Sequence, residues 1–306
     1  MTIIAKCALR KTGQFLCTNL GVNSNLSLVF VPSASASYMR ATYGEPFGYQ
    51  KPFPYEKKKF TMMSEIFDKT IHRFNENTKA ILVEGGPGVG KTDFAHKFAK
   101  QFDLKVFDSV HDDSLWIDRQ SGYDLRILNE FLPPKLAFYT TKMFYENPHP
   151  KDQLGCKLQF QMYEEKFRQY CAALQHLLNT GQGVVIVRSV WSDIVYAEAM
   201  KASGFMSEGA MKYYNEVRLN SICELIKPHL TIYLDTPIQT WKDRSFKKSR
   251  YGEKNSPAFN DTYLSKLDSI FKTKFLPEMK KHGEVLQIDW SEEADDLEMD
   301  TVSFIL

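Results

Sequence analysis

Apolar residues along the chain follow two spacings. Short continuous runs occur at Ala80–Val83, Lys105–Phe107, Gly183–Val187, Leu230–Leu234 and Val285–Ile288. Each is too short for a helix, and unbroken apolar character is what strands buried on both faces require. Between them, apolar positions recur every three or four residues over Asp93–Phe102, Leu158–Leu178, Asp193–Lys201, Glu208–Leu225, Ile238–Lys248 and Asp261–Lys281. That period predicts helices, and Ser64–Phe74 reads as a further short one. In the second segment Phe167, Tyr170, Leu174, Leu177 and Leu178 form a stripe that predicts core. Strands alternating with helices predict an α/β domain: a parallel sheet with helices on both faces.

Two stretches break the alternation. Tyr43–Lys59 holds Pro46, Pro52 and Pro54 among aromatics and ends on three lysines, which excludes a regular helix and predicts an extended arm. Ser109–Pro150 is irregular and carries Pro133-Pro134; it reads either as a substrate-side insertion or as a plain surface excursion. The domain layout is therefore a leader over 1–44, an arm over 45–60 and one folded domain over 61–306.

Composition narrows the class. The 306 residues are 43% hydrophobic and 25% charged, ordinary values for a globular chain, and the net charge of +2 does not indicate a nucleic-acid partner. Five scattered cysteines (Cys7, Cys17, Cys156, Cys171, Cys223) give neither a zinc spacing nor an even disulfide set. No apolar run approaches the roughly 18 residues of a membrane span. The segment Met1–Gly44 contains no Asp or Glu but has Lys6, Arg10, Lys11 and Arg40 among many serines, the composition of a mitochondrial transit peptide.

The first strand runs into Gly85-Gly86-Pro87-Gly88-Val89-Gly90-Lys91-Thr92, which matches the phosphate-loop pattern at every required position, with a strand before it and a helix after it. Glycines let backbone N–H groups turn onto phosphate oxygens, and the helix start adds its positive end. Lys91 can reach the β- and γ-phosphates, and Thr92 can hold Mg²⁺. Gly85, Gly86, Gly88, Val89, Gly90, Lys91 and Thr92 are thus the expected nucleotide-binding residues.

Further residues carry a family resemblance. Leu177–Val185 continues into Arg188-Ser189-Val190-Trp191-Ser192-Asp193, followed by Glu198-Ala199-Met200, Tyr214–Val217, Pro228–Asp235 and Phe275–Met279. From about Tyr55 to Trp290 the chain resembles the NADH dehydrogenase (ubiquinone) 1 alpha subcomplex subunit 10 family, the deoxynucleoside-kinase-like accessory subunits of mitochondrial respiratory complex I. The resemblance implies a P-loop deoxynucleoside-kinase-like fold with a five-stranded parallel sheet. It also implies a place among other complex I subunits, peripheral to the matrix side of the inner membrane, and a role outside electron transfer. FAD has been attributed to the family, but no Gly-x-Gly-x-x-Gly loop supports it here; ATP, ADP or a deoxynucleotide, with or without Mg²⁺, is the expected ligand.

In the related kinases the third strand ends in Glu-Arg-Ser, whereas this chain has Val187-Arg188-Ser189. The arginine and serine match, and the carboxylate is missing. The catalytic Glu that follows the second strand in those kinases corresponds to Asp108 or Ser109, with Asp112 and Asp113 beyond. The resemblance also makes Gln159, with Gln161 as the alternative, the base-reading amide and Arg244–Arg250 the lid, with Arg244, Lys247, Lys248 and Arg250 as its cations. Asp108, Arg188, Arg244 and Arg250 are thus vestigial catalytic candidates, with Gln159 and Arg188 on the substrate side. The expected function is an accessory, non-catalytic subunit with a retained nucleotide site; the alternative is an active matrix deoxynucleoside kinase.

Overall fold

The computed structural model describes residues 58–59, 61–67, 74–148, 154–248 and 256–291. The expected leader, nearly all of the arm and Arg250 lie outside these residues, as do positions 68–73 of the predicted helix Ser64–Phe74, of whose span α1 (Met62–Phe67) is described.

The remaining order is β1 (Ala80–Gly85), α2 (Lys91–Phe102), β2 (Lys105–Phe107), α3 (Asp112–Trp116), α4 (Thr141–Glu146), α5 (Leu154–Thr180), β3 (Val184–Val187), α6 (Asp193–Ala202), α7 (Glu208–Ile222), β4 (Leu230–Asp235), α8 (Ile238–Lys248), α9 (Asp261–Ile270), α10 (Leu276–Lys280) and β5 (Glu284–Asp289). The strands form a sheet of five in the order β2-β3-β1-β4-β5. Every pairing is parallel; Leu82 of β1 lies between Ile186 of β3 and Thr231 of β4. All six residues of β1 and all four of β3 are buried. Side chains alternate between faces along a strand, so unbroken burial means that both faces of the sheet are covered.

The chain leaves β1 toward β2 and β3 on one side and returns to β4 and β5 on the other. The connections therefore diverge at the carboxyl end of β1, where open α/β sheets place their crevice. Beneath it, Phe94 and Phe98 of α2 and Tyr170 and Leu177 of α5 join the strand residues in the core. Leu178 departs from the predicted stripe: it is 40% exposed.

The predicted helix Asp261–Lys281 is interrupted. A π-helical turn, Phe271–Phe275, separates α9 from α10. Pro277 has no N–H to give the carbonyl four residues before it, and the widened turn absorbs that break. The irregular stretch after β2 proves to be built rather than loose. It contains α3, 3₁₀ turns at Leu125–Glu130 and Pro134–Leu136, and α4. Asn129 bridges the amide and carbonyl of Phe138 at 2.7 and 3.1 Å, and Trp116 Nε1 donates to the Tyr139 carbonyl at 3.1 Å. No helix among the described residues is long and apolar enough to cross a membrane.

Candidate functional site

The phosphate loop lies between the end of β1 and the start of α2, pressed against α8. Gly86 is needed for that contact, because a Cβ there would fall 2.0 Å from the indole of the fully buried Trp241. Gly88 and Gly90 have φ values of +71° and +96°, the left-handed region open to glycine. Lys91 opens α2, and its Nζ donates to the carbonyls of Gly86 at 2.6 Å and Gly85 at 3.2 Å. Thr92 is half-buried beside it. The loop is held from behind by Arg244 of α8, whose guanidinium donates to the carbonyls of Val89 at 3.3 Å, Trp290 at 3.1 Å and Ser291 at 3.1 Å.

The loop forms one wall of a cavity of about 250 Å³, just below the usual range for small-molecule sites. The opposite wall carries a buried polar cluster. Asp193, the first residue of α6, accepts from Lys166 Nζ at 2.5 Å, Gln159 Nε2 at 2.7 Å and Tyr214 Oη at 2.6 Å. Gln159 and Lys166 come from one face of α5, seven residues and two turns apart, and Tyr214 from α7. Burial lowers the Lys166 ammonium from its usual value and the Asp193 carboxylate opposes that shift. Burial likewise pushes the Tyr214 phenol well up, reinforced by the same carboxylate.

A second buried cluster lies at the end of β1, behind Arg188. Glu84, the last side chain before the loop, is fully buried; its Oε1 accepts from the Ser189 amide at 2.9 Å and hydroxyl at 2.8 Å. Burial raises its carboxyl above the usual range against those hydrogen bonds. These bonds fix the turn after β3, in which Arg188 takes φ +57° although it is not glycine, a conformation costing about 1–2 kcal/mol. The turn aims the Arg188 guanidinium over the Tyr196 ring, 4.7 Å from its centroid, and both side chains line the cavity.

The residues singled out in the sequence divide cleanly. Gly88, Val89, Gly90, Lys91, Thr92, Gln159 and Arg188 line the one cavity. The carboxylate candidates do not. Asp108 is exposed and pairs with His96 Nε2 at 2.9 Å, Asp112 is spent on the amide and hydroxyl of Thr141, and Asp113 pairs with Arg126. Ser109 and Val110 of that segment, together with Val187, stand at the cavity wall instead. Among the described residues its one lining carboxylate is Asp93, exposed in the first turn of α2. Arg244 serves the loop's backbone rather than the cavity, and Arg250 lies outside the described residues. Lys166, Asp193, Tyr196 and Glu84 were not singled out. Glu84 alone had a local signal, as a charge inside an otherwise apolar strand.

The deoxynucleoside kinase family model matches residues 81–304. The chain belongs to the deoxynucleoside kinase family. It is 34% identical over 234 residues to bovine mitochondrial NADH dehydrogenase [ubiquinone] 1 alpha subcomplex subunit 10, an alignment covering 76% of this chain and 64% of the bovine one. The rat protein of the same name is 31% identical over 263 residues, 85% of this chain and 71% of the relative. The chain thus spans roughly two thirds of the length of these relatives. Deoxyguanosine kinase of Dictyostelium discoideum is 29% identical, covering 78% and 72%. The resemblance read from Leu177–Asp193 and beyond is borne out. Among solved structures, deoxyadenosine kinase of M. mycoides with bound dATP superposes with a TM-score of 0.52 at 15% identity, over 74% of this chain and 97% of that one; this likeness shows the fold.

Proposed function

We propose that the protein is an accessory subunit of mitochondrial respiratory complex I, peripheral to the matrix side of the inner membrane, which holds a nucleotide and does not turn it over. The observation that carries the second half is the cavity wall between the loop and Arg188. Among the described residues, the stretches after β2 and at the end of β3 bring Ser109, Val110 and Val187 to it and no carboxylate; the cavity's lining carboxylate is Asp93 of α2. Phosphoryl transfer needs a base within hydrogen-bond reach of the attacking hydroxyl and charge aimed at the moving phosphoryl group. Val187 is aliphatic, so its side chain supplies neither.

Binding does not depend on those groups. The loop's N–H groups and the start of α2 favour an anion, and Lys91 Nζ, which donates to the Gly85 and Gly86 carbonyls, is placed to turn to phosphate oxygens. Gln159 and Arg188 face the same space from the substrate side, so an acceptor-side nucleoside would meet an amide and a guanidinium. Among the described residues no group of three or more His, Cys, Asp or Glu side chains is placed to hold a metal. Mg²⁺ would rely on Thr92 and on the phosphate oxygens themselves. The loop has no dinucleotide pattern that would favour FAD.

Association with complex I is supported by the similarity to the bovine and rat subunits. Native gel electrophoresis of solubilised mitochondria tests it: the chain should co-migrate with complex I, and migration solely as a free species would refute the assignment.

A further inference from the structure

Helix α8 meets the phosphate loop with Trp241, Arg244 and Ser245, spaced i, i+3 and i+4 and therefore on one face. The polar groups of the first two are engaged. Trp241 Nε1 donates to Thr236 Oγ1 at 2.9 Å, and Arg244 is bound to the carbonyls of Val89, Trp290 and Ser291. The Ser245 hydroxyl differs. It is 2% exposed, has no hydrogen-bond partner among the described residues and lines the same cavity as Gly88, Lys91 and Thr92. It also lies directly beside the loop: a Cβ on Gly88 would come 2.5 Å from Ser245 Oγ.

A buried hydroxyl is normally satisfied, and leaving one unpaired costs stability. Its neighbours here are the backbone groups of a loop shaped for an anion, so the missing partner is an acceptor that arrives with the ligand. We infer that Ser245 Oγ is a phosphate ligand, donating to a non-bridging oxygen of the nucleoside di- or triphosphate held by Gly85–Thr92. The α8 contact to the ligand is then this hydroxyl, not the neighbouring guanidinium, and ligand binding ties α8 to the loop. The inference rests on the nucleotide reading above.

Ser245→Ala removes the donor without adding bulk. In the full-length chain, titration calorimetry should show ATP and ADP binding weakened about 10- to 100-fold, the range for a hydrogen bond to a charged group, with adenosine affinity unchanged. The melting temperature without ligand should stay level or rise, since an unsatisfied buried group is gone. Unchanged ATP affinity in Ser245→Ala, alongside a loss in Lys91→Ala, would overturn the inference while sparing the nucleotide reading. Unchanged affinity in both variants would overturn the nucleotide reading and this inference with it. A lowered melting temperature with unaltered ATP affinity would make Ser245 a packing residue only. Inorganic phosphate binding as tightly as ATP, and weakened equally by the substitution, would overturn the nucleoside part.

Discussion

Asp193→Ala should be among the most damaging single substitutions in the domain, for reasons that can be worked through. Asp193 is fully buried and Lys166 only 3% exposed, so the ion pair has essentially no access to water. Removing the carboxylate strands a buried ammonium, which costs about 3–5 kcal/mol. It also leaves the Tyr214 hydroxyl and one Gln159 N–H without their acceptor, adding at least ~1 kcal/mol after partial relaxation. A total of about 4–6 kcal/mol compares with a whole-domain stability of about 5–15 kcal/mol. The sign of its pH dependence is fixed. Burial already holds Lys166 below its usual 10.5, and without Asp193 it falls further. Between that lowered value and 10.5 the unfolded chain binds more protons than the folded one, so the variant recovers stability as pH rises through this window. Urea denaturation at several pH values reads both quantities. Replacing the pair together, Lys166→Met with Asp193→Leu, should return to within about 2 kcal/mol of the parent, because an apolar pair replaces a buried ionic one at little cost. A cost below about 1 kcal/mol for Asp193→Ala, or a double variant no better than the single, would refute the reasoning.

Further predictions concern the loop and the buried cluster at the end of β1. Gly86→Ala drives a methyl group into the immobile Trp241 indole and should lower stability by about 1–3 kcal/mol, visible as a drop of several degrees in melting temperature. Because burial raises Glu84 above its usual 4.5, the folded state keeps a proton that the unfolded chain has released, and stability falls as pH rises through that interval. Glu84→Gln should flatten that slope in melts between pH 4.5 and 8, and an unchanged slope would place the carboxyl at its ordinary value. Val187→Glu should leave phosphoryl transfer undetectable in a labelled-ATP assay, because the carboxylates of the β2–α3 segment point elsewhere; activity restored by this one change would contradict the missing-base argument.

Much of the fold was legible along the chain because its three central strands, β1, β3 and β4, are buried on both faces. Such strands read as unbroken apolar runs, and all five strands lie within two residues of their predicted bounds at both ends, with Lys105–Phe107 unchanged. The loop was legible because its chemistry is contiguous: Gly85 through Thr92 act as neighbours in sequence and in space. The polar cluster was not, because Lys166 and Asp193 are 27 residues apart and Tyr214 a further 21, and only the packing of α5, α6 and α7 brings them together. Asp108 shows the opposite failure. Its position just after β2 suggested the site, but β2 is short and half-exposed, and the side chain turns out to His96. Arg244 was marked by the resemblance of Arg244–Arg250 to the kinase lid, and that resemblance does not tell a ligand contact from a bond to a backbone carbonyl.

Whether this loop grips a nucleotide without turning it over can be measured directly. Purified full-length chain incubated with γ-labelled ATP and the four deoxynucleosides, then split between filter binding and product separation, measures both at once. The account predicts label retained with the protein, lost in Lys91→Ala, and no labelled deoxynucleoside monophosphate. Labelled monophosphate accumulating beyond the amount of protein present would contradict it.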